Sequence, residues 1–210
     1  MIKVKICGIT NLEDALLCSR EGTDALGFIF TKKSPRCINK REAAKIIANI
    51  DPFISTVGVF MDEEKEKVFE IASNLSLDVL QFHGGETQAY CSFFKQKFRV
   101  IKVFFPEDMP FKDAVSRYKV DAYLFDVKPE EKLRGAKTLS RQTHEGIKSL
   151  LKDGQRVIFS GGLNMRNIDS IIKLNPYAVD IASGVEKMVG KKDSDLVRLF
   201  IRKVKNVSPR

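Results

Sequence analysis

The strongest constraint on the fold is an eightfold alternation of short apolar segments with longer segments of helical periodicity. Parallel neighbouring strands need a crossover connection, which is usually a helix, so this order predicts a parallel sheet. The segments predicted as strands are Ile2–Cys7, Ala25–Phe30, Ser55–Phe60, Val79–Phe82, Arg99–Phe104, Ala122–Asp126, Val157–Phe159 and Ala178–Ile181.

Apolar residues three and four positions apart predict helices between these strands. Thr10 and Glu13 have the spacing of a capping box, and Asn164 is a candidate cap for the helix that follows Gly161-Gly162. The predicted helices are Asn11–Arg20, Lys40–Asn49, Glu63–Asn74, Glu86–Lys97, Lys112–Tyr118, Thr143–Leu151, Met165–Leu174 and Ser194–Val204.

Eight strand–helix units within 210 residues predict an α/β fold, a single-domain (β/α)8 TIM barrel over residues 1–210. A doubly wound open sheet is the alternative. No shift in composition and no low-complexity segment marks a domain boundary. Sites in (β/α)8 barrels lie where strands end and the following loops begin, so those residues are the candidates for function.

Composition excludes several classes of protein. No apolar run approaches the roughly 18 residues of a membrane span, and residues 1–6 alternate apolar and basic residues, unlike a signal peptide. We therefore expect a cytoplasmic protein without a membrane partner. The four cysteines lack CxxC spacing and there are only two histidines, so we expect no disulfide framework and no metal site.

The net charge of +9 raises the question of nucleic-acid binding. No nucleic-acid motif accompanies the charge, so we expect no nucleic-acid partner. A solvated basic face, or attraction of an anionic metabolite, explains it more simply. The basic clusters are Lys32-Lys33, Lys40-Arg41, Lys191-Lys192 and the segment 202–205.

Alternation along the strands selects the side chains that face the barrel interior. Cys7 shares the inward face of the first strand with Lys5, while the apolar face meets the helices. Gln81 and His83 share the inward face of the fourth strand, and Asp126 lies inward at the end of the sixth. A thiol, an imidazole and a carboxylate are thus predicted to converge, although any one of them alone is more often structural.

Two glycine-containing loops follow the seventh and eighth strands. The first contains Gly161 and Gly162, and the second contains Ser183 and Gly184. Glycines allow the backbone to approach a ligand closely, and these two loops recur as a phosphate site in this fold. A Gly-Gly pair alone is also typical of a simple turn, but the two positions together favour a phosphorylated small-molecule substrate.

Arg36 lies in the loop after the second strand, in the sequence Ser34-Pro35-Arg36. Its guanidinium is suited to bind a carboxylate through two hydrogen bonds. Spacing alone leaves open that Arg36 is a surface arginine near Lys32 and Lys33.

The chain resembles the phosphoribosylanthranilate isomerase family of tryptophan biosynthesis. The matching segments follow the family's order over nearly the whole chain. They are Val4-Lys5-Ile6-Cys7-Gly8-Ile9-Thr10, residues 25–30, Ser34-Pro35-Arg36, residues 57–60, Gln81-Phe82-His83-Gly84, Ser160-Gly161-Gly162-Leu163-Asn164 and Ser183-Gly184-Val185-Glu186.

This resemblance implies an Amadori rearrangement that converts N-(5-phosphoribosyl)anthranilate into the 1-deoxyribulose 5-phosphate aminoketose without a cofactor. It implies that Asp126 is the general acid, Cys7 the general base and Arg36 the ligand of the anthranilate carboxylate. The glycine loops would bind the phosphate. Lesser contributions to the pocket are implied for Gln81, His83 and Asp180.

These roles set conditions on pKa values. An ordinary cysteine titrates near about 8.5, so we hypothesise that the charge of Lys5 lowers the pKa of Cys7 and raises its thiolate fraction. Asp126, as an acid, needs a raised pKa and hence a partly desolvated site, which a closing loop would supply.

The loop after the sixth strand departs from the glycine-rich pattern of the family, because Leu133, Arg134 and Ala136 stand at its glycine positions. If any of those positions needs positive φ, loop closure will differ. Two alternatives therefore stay open: an isomerase for another phosphoribosyl amine, and a phosphate-binding barrel without catalysis. We expect a monomer, because a closed barrel has no free sheet edge.

Overall fold

The computed structural model describes residues 1–105, 115–126 and 141–205 and shows a closed parallel barrel. Strand β8 pairs with β1, which excludes the open sheet and confirms the (β/α)8 prediction. The strands are β1 Lys3–Cys7, β2 Ala25–Ile29, β3 Ser55–Phe60, β4 Val79–Phe82, β5 Arg99–Phe104, β6 Ala122–Phe125, β7 Val157–Phe159 and β8 Ala178–Ile181.

The helices lie close to the predicted positions. The predicted helix at Lys112–Tyr118 falls partly on residues outside the described ranges. The described helices are α1 Leu12–Arg20, α2 Lys40–Ile47, α3 Lys65–Asn74, α4 Gln88–Lys95, α5 Arg141–Lys152, α6 Ile168–Ile172 and α7 Ser194–Lys205. None of these is long and apolar enough to cross a membrane.

The capping box predicted for α1 is wrong by one residue. The cap is Asn11, whose side chain accepts a hydrogen bond from the backbone N–H of Asp14 at 3.0 Å. Thr10 instead donates to the backbone carbonyl of Gly190 at 2.6 Å. The difference arises because a segment far along the chain occupies the Thr10 hydroxyl.

Helix α6 begins later than predicted because asparagine side chains close a turn before it. The Asn164 side chain accepts from the backbone N–H of Arg166 at 2.9 Å, and the Asn167 side chain accepts from that of Asn164 at 2.9 Å. Asn164 therefore caps this turn rather than the helix. Such local bonds compete with helical hydrogen bonding, as expected for asparagine.

Two apolar layers form on opposite faces of the strands. Outward-facing side chains such as Val4, Leu80 and Phe125 pack in the main core, which also contains buried residues of the helices. Inward-facing Ile101 and Leu124 belong to a smaller cluster inside the barrel. Each fully buried side chain of this size contributes about 1.5–3 kcal/mol. Because side chains alternate along each strand, every second one faces the barrel interior, and those at the strand ends face the mouth of the barrel.

A short hairpin follows β8 and a 3-10 turn, Ser183–Val185. Its strands are β9 Glu186–Met188 and β10 Lys191–Lys192, which pair in antiparallel fashion. Gly190, in the turn between them, has a φ of 76°. The Thr10–Gly190 hydrogen bond fastens this hairpin to the loop after β1.

Candidate active site

A cavity of about 340 Å³ opens at the carboxyl ends of the strands. Every residue predicted for the site lines it except Gly184. A larger groove of about 460 Å³ beside α3 and α4 contains none of the predicted residues. The predicted residues that line the cavity are Cys7, Arg36, Gln81, His83, Asp126, Gly161, Gly162, Asp180 and Ser183.

Cys7 is the last residue of β1, and its neighbour across the strand pair is Gly27. A Cβ atom on Gly27 would lie 2.7 Å from the Cys7 sulfur and 3.1 Å from the Lys5 Cε atom. The missing side chain therefore makes room for the thiol and the lysine at the base of the cavity.

Lys5 forms a buried ion pair with Asp180, with 2.7 Å between Nζ and Oδ1. Burial raises the pKa of the Cys7 thiol above its ordinary value; Lys5 lowers this pKa and Asp180 raises it. The hypothesis for Lys5 thus has the right direction, but burial outweighs the ammonium. The surroundings of Cys7 therefore favour the protonated thiol over the thiolate.

Asp126 follows β6 and is buried beside His83. The His83 Nε2 atom lies 3.5 Å from Asp126 Oδ2, and His83 Nδ1 lies 3.3 Å from the Gln81 side-chain nitrogen. When that nitrogen donates to Nδ1, the ring proton lies on Nε2 and points at Asp126. The three side chains form a connected polar wall.

Gln81 also carries a buried side-chain oxygen that accepts no hydrogen bond from the described residues. A buried acceptor without a partner costs free energy, about 1–3 kcal/mol. Since Gln81 lines the cavity, a hydrogen-bond donor on a bound ligand would satisfy this oxygen.

A buried lysine that sequence reasoning missed fixes the loop carrying His83. Lys102 donates to the carbonyl of Gly84 at 2.7 Å and lies 3.3 Å from the Glu86 carboxylate. Glu86 in turn accepts from the backbone N–H groups of Gly84 and Asp62, each at 2.9 Å. The available signal was a lysine inside an otherwise apolar strand.

Arg36 lies in the loop after β2, and its side chain packs against Gly8 in the loop after β1. Gly8 has a φ of 72°, and a Cβ atom there would lie 2.5 Å from Arg36 Cδ. The guanidinium donates from Nε and Nη2 to the two carboxylate oxygens of Glu186 at 2.8 and 2.6 Å. This hydrogen bonding raises the pKa of Arg36. Arg36 is therefore an ordered, paired side chain rather than a free surface arginine.

Lys192 forms a cluster with Glu186 and Arg36. It is therefore not part of a solvated basic face, unlike the explanation offered for the basic residues. Its side chain is 0% exposed and lies 2.9 Å from Glu186 Oε1. Burial raises the pKa of Glu186, but Arg36 and Lys192 lower it more, so it is shifted below its ordinary value. Lys191, the neighbour, is exposed, so strand alternation separates the two lysines.

The loop after β7 has two consecutive left-handed residues, Gly161 with φ 82° and Gly162 with φ 70°. The Gly162 carbonyl accepts from the Asn164 and Asn167 side chains, each at 2.9 Å. Gly184 lies behind the cavity wall, since a Cβ atom there would meet the Leu163 carbonyl oxygen at 1.9 Å. Its role in the structure is to let the two loops pack together.

The residues Leu133, Arg134 and Ala136, which replace the family's glycines, lie outside the described residues. Within the described ranges, no group of three or more histidine, cysteine, aspartate or glutamate side chains is placed to hold a metal ion.

The chain matches the family model described as N-(5'phosphoribosyl)anthranilate (PRA) isomerase over residues 4–203. An N-(5'-phosphoribosyl)anthranilate isomerase from Geobacter sp. strain M21 is 42% identical over 209 residues, covering 99% of this chain and 100% of that protein. A Thermotoga maritima protein of the same name is 38% identical over 208 residues, covering 99% of this chain and 100% of that protein.

Solved structures agree with this match. Phosphoribosyl anthranilate isomerase from Thermus thermophilus superposes with a TM-score of 0.87 at 35% identity, covering 99% of this chain and 100% of that one. A phosphoribosyl anthranilate isomerase in complex with reduced 1-(o-carboxyphenylamino)-1-deoxyribulose 5-phosphate has a TM-score of 0.79 at 34% identity, with the same coverage. The chain therefore belongs to the N-(5'-phosphoribosyl)anthranilate isomerase family.

Proposed function

We propose that this chain isomerises N-(5'-phosphoribosyl)anthranilate to 1-(o-carboxyphenylamino)-1-deoxyribulose 5-phosphate in tryptophan biosynthesis, with Asp126 as general acid and Cys7 as general base. The observation that carries these roles is that the thiol and the carboxylate line one cavity at the carboxyl ends of β1 and β6. Both are buried, so proton transfers occur away from bulk water.

The first step opens the ribose ring. Asp126 donates its proton to the ring oxygen while the nitrogen lone pair forms a C1=N bond and the C1–O bond breaks. The product is an open-chain protonated Schiff base. His83, 3.5 Å from Asp126, is placed to exchange a proton with this carboxyl group afterwards.

The second step removes the proton at C2. The thiolate of Cys7 accepts it, and the electrons of the C–H bond form C1=C2 and neutralise the nitrogen. The resulting enolamine tautomerises to the ketone, so the reaction gains and loses no atom. Burial raises the pKa of Cys7, and the positive charges of Lys5 and of the Schiff base oppose this shift and favour the thiolate.

Substrate binding needs partners for two anionic groups. Arg36 binds the carboxylate of the anthranilate ring through its guanidinium. The loops carrying Gly161, Gly162 and Ser183 bind the phosphate, since all three residues line the cavity and the glycines at positive φ let the backbone of the first loop approach a ligand closely. The unpaired oxygen of Gln81 accepts a hydrogen bond from a substrate N–H or hydroxyl group.

Asp180 positions Lys5, whose charge favours the thiolate, while the negative charge of Asp180 itself opposes it. The ion pair holds the ammonium beside the sulfur, and Asp180 itself lines the cavity. Both side chains are buried, so the orientation of Lys5 depends on this carboxylate.

A change of substrate within the same chemistry is the second candidate. The replacement of three glycines by Leu133, Arg134 and Ala136 favours it, because this loop follows the strand that ends at Asp126. Turnover of the aminoaldose of histidine biosynthesis at a rate comparable to that of phosphoribosylanthranilate would support this candidate.

The deciding experiment is steady-state turnover of freshly generated phosphoribosylanthranilate, followed by loss of anthranilate fluorescence. We expect Cys7→Ser and Asp126→Asn each to lower kcat by about 10²–10⁴-fold, the usual cost of removing a general acid or base. Cys37→Ser and Asp153→Asn are matched controls, because both residues are exposed and neither lines the cavity. Folded wild-type protein without turnover would contradict the proposed function.

The assembly and location of the protein stay predictions. We expect a cytoplasmic monomer, while one solved relative consists of monomers generated from the dimeric enzyme of Thermotoga maritima. Light scattering on the purified chain across a concentration range measures this state directly.

A further inference from the structure

Lys192 is the most completely buried charged side chain near the cavity, and none of the steps above uses it. Its ammonium donates to the Cys7 carbonyl at 2.7 Å, to the Ala182 carbonyl at 3.2 Å and to Glu186 Oε1 at 2.9 Å. Three acceptors match the three N–H bonds of an ammonium group. The side chain thus joins the end of β1, the loop after β8 and the hairpin.

Glu186 connects Lys192 to Arg36. One oxygen accepts from Lys192 and from Arg36 Nε, and the other accepts from Arg36 Nη2. The carboxylate therefore holds one edge of the planar guanidinium in a fixed orientation. A carboxylate on a ligand can pair with Arg36 only along the other edge, formed by Nη1 and Nη2.

We propose that Glu186 and Lys192 are positioning residues that aim the free edge of Arg36 at the carboxylate of the substrate. Lys192 does so by holding Glu186, and through the Cys7 carbonyl it also couples the arginine to the strand that bears the base. This inference rests on the proposed function and assigns the substrate's carboxylate to one edge of Arg36.

The net charge of the cluster allows an experiment to distinguish orientation of Arg36 from simple electrostatic attraction of the substrate. Arg36, Glu186 and Lys192 together carry one net positive charge. Glu186→Gln raises this to two, and a purely electrostatic cluster would then bind an anionic substrate more tightly. If the carboxylate instead orients Arg36, the same variant binds more weakly. The sign of the change in KM therefore distinguishes the two.

A merely structural role has a different signature. Breaking buried pairs lowers stability in any case, so a fall in melting temperature is uninformative alone. A structural role predicts that the folded fraction keeps its wild-type KM. Orientation through Arg36 predicts that Glu186→Gln has little further effect once Arg36 is replaced, because the group it orients is gone.

The experiment measures kcat and KM for wild type, Glu186→Gln, Lys192→Met, Arg36→Met and the Arg36→Met/Glu186→Gln double variant. Binding of reduced 1-(o-carboxyphenylamino)-1-deoxyribulose 5-phosphate is measured by calorimetry on the same proteins. Lys191→Met is the matched control, an exposed lysine one residue away. If Glu186→Gln does not fold, Glu186→Gln/Lys192→Met replaces it, since that pair leaves no unpaired ammonium.

We expect KM and the dissociation constant to rise about tenfold or more in Glu186→Gln and Lys192→Met, the scale of a charged hydrogen bond. In the Arg36→Met background Glu186→Gln should change KM less than about threefold, within the usual limits of additivity. A lower or unchanged KM in folded Glu186→Gln, or in its replacement double variant, would overturn the inference. Turnover by the wild-type protein would still support the proposed function in that case. Wild-type protein that binds the analogue without turnover would refute the function instead.

Discussion

Two sides of the barrel contain buried lysines whose partners differ. On the β1–β8 wall, Lys5 and Lys192 contact Cys7 or its carbonyl and the carboxylates that surround it. On the β4–β5 wall, Lys102 lies with Glu86 on the helix side of the barrel and binds backbone carbonyls. The first wall places charge next to a reacting atom, while the second holds a loop in place.

Strand alternation accounts for part of this difference. Lys5 shares the inward parity of Cys7, whereas Lys102 lies between the inward-facing Ile101 and Val103. An inward lysine near a strand end meets the site, and an outward one meets the loops and helices that cover the barrel. We therefore expect substitutions on the β1–β8 wall to alter the chemistry of the site, and substitutions on the β4–β5 wall to alter stability.

The largest effect is expected from filling the space beside the thiol. Gly27→Ala would place a Cβ atom 2.7 Å from the Cys7 sulfur, so the sulfur must move. A displacement of this order near a reacting group costs about 100-fold in kcat. Gly85→Ala is the control, because its Cβ atom would meet only Asp62 at an ordinary 3.6 Å. Equal kcat values for both variants would contradict the close packing of Cys7.

The next effect tests the electrostatics of the same wall. Lys5 lowers the pKa of Cys7 and Asp180 raises it, so Lys5→Met should raise this pKa and Asp180→Asn should lower it. A shift of one unit changes the thiolate fraction at neutral pH about tenfold. The pH dependence of Cys7 alkylation by iodoacetamide, read on its own peptide by mass spectrometry, measures both. Shifts of the same sign would refute this assignment.

The opposite wall should respond in stability rather than in chemistry. Lys102→Met leaves the buried Glu86 carboxylate without its cation, which typically costs about 3–5 kcal/mol of unfolding free energy. We expect kcat of the folded protein to fall less than about tenfold, because Lys102 reaches the site only through the Gly84 carbonyl, in the backbone beside His83. Urea unfolding and turnover are measured on one preparation. A large loss of kcat with unchanged stability would contradict the assignment of Lys102 to stability rather than to chemistry.

The smallest effect is expected at the surface. The exposed pair of Lys40 and Glu70 should contribute less than about 1 kcal/mol, so Lys40→Ala should change neither kcat nor unfolding free energy beyond that. A double-variant cycle with Glu70→Ala isolates the pair itself. A coupling energy comparable to that of the buried pairs would show that burial is not what separates them.

Much of the fold followed from pattern. Five of the eight strands, beginning with Ser55–Phe60 and Val79–Phe82, have the predicted bounds, because buried parallel strands are short apolar runs between polar turns. Helix ends were less predictable, as the cap at Asn11 and the delayed start of α6 show. Before α1 the backbone carbonyl of Gly190 engages Thr10, and before α6 the Asn167 side chain engages Asn164, so neither predicted cap is the residue that starts its helix.

The candidate site was also largely visible in the sequence, since strand parity and position within a barrel select Cys7, Asp126 and His83. What parity does not show is the partner of each charge. Lys102 and Lys192 were missed for that reason, one inside an apolar strand and one beside a lysine that is exposed.

By itself, the sequence determined which residues face the barrel and where loops begin, because both depend on neighbours within a few positions. Only the tertiary structure decided the ion pairs at the site. Lys5 meets Asp180 across 175 residues, Arg36 meets Glu186 across 150, and Lys192 meets the Cys7 carbonyl across 185. Such pairs form because closing the barrel brings β8 beside β1, and burial then leaves each charge no water to bind in place of its partner.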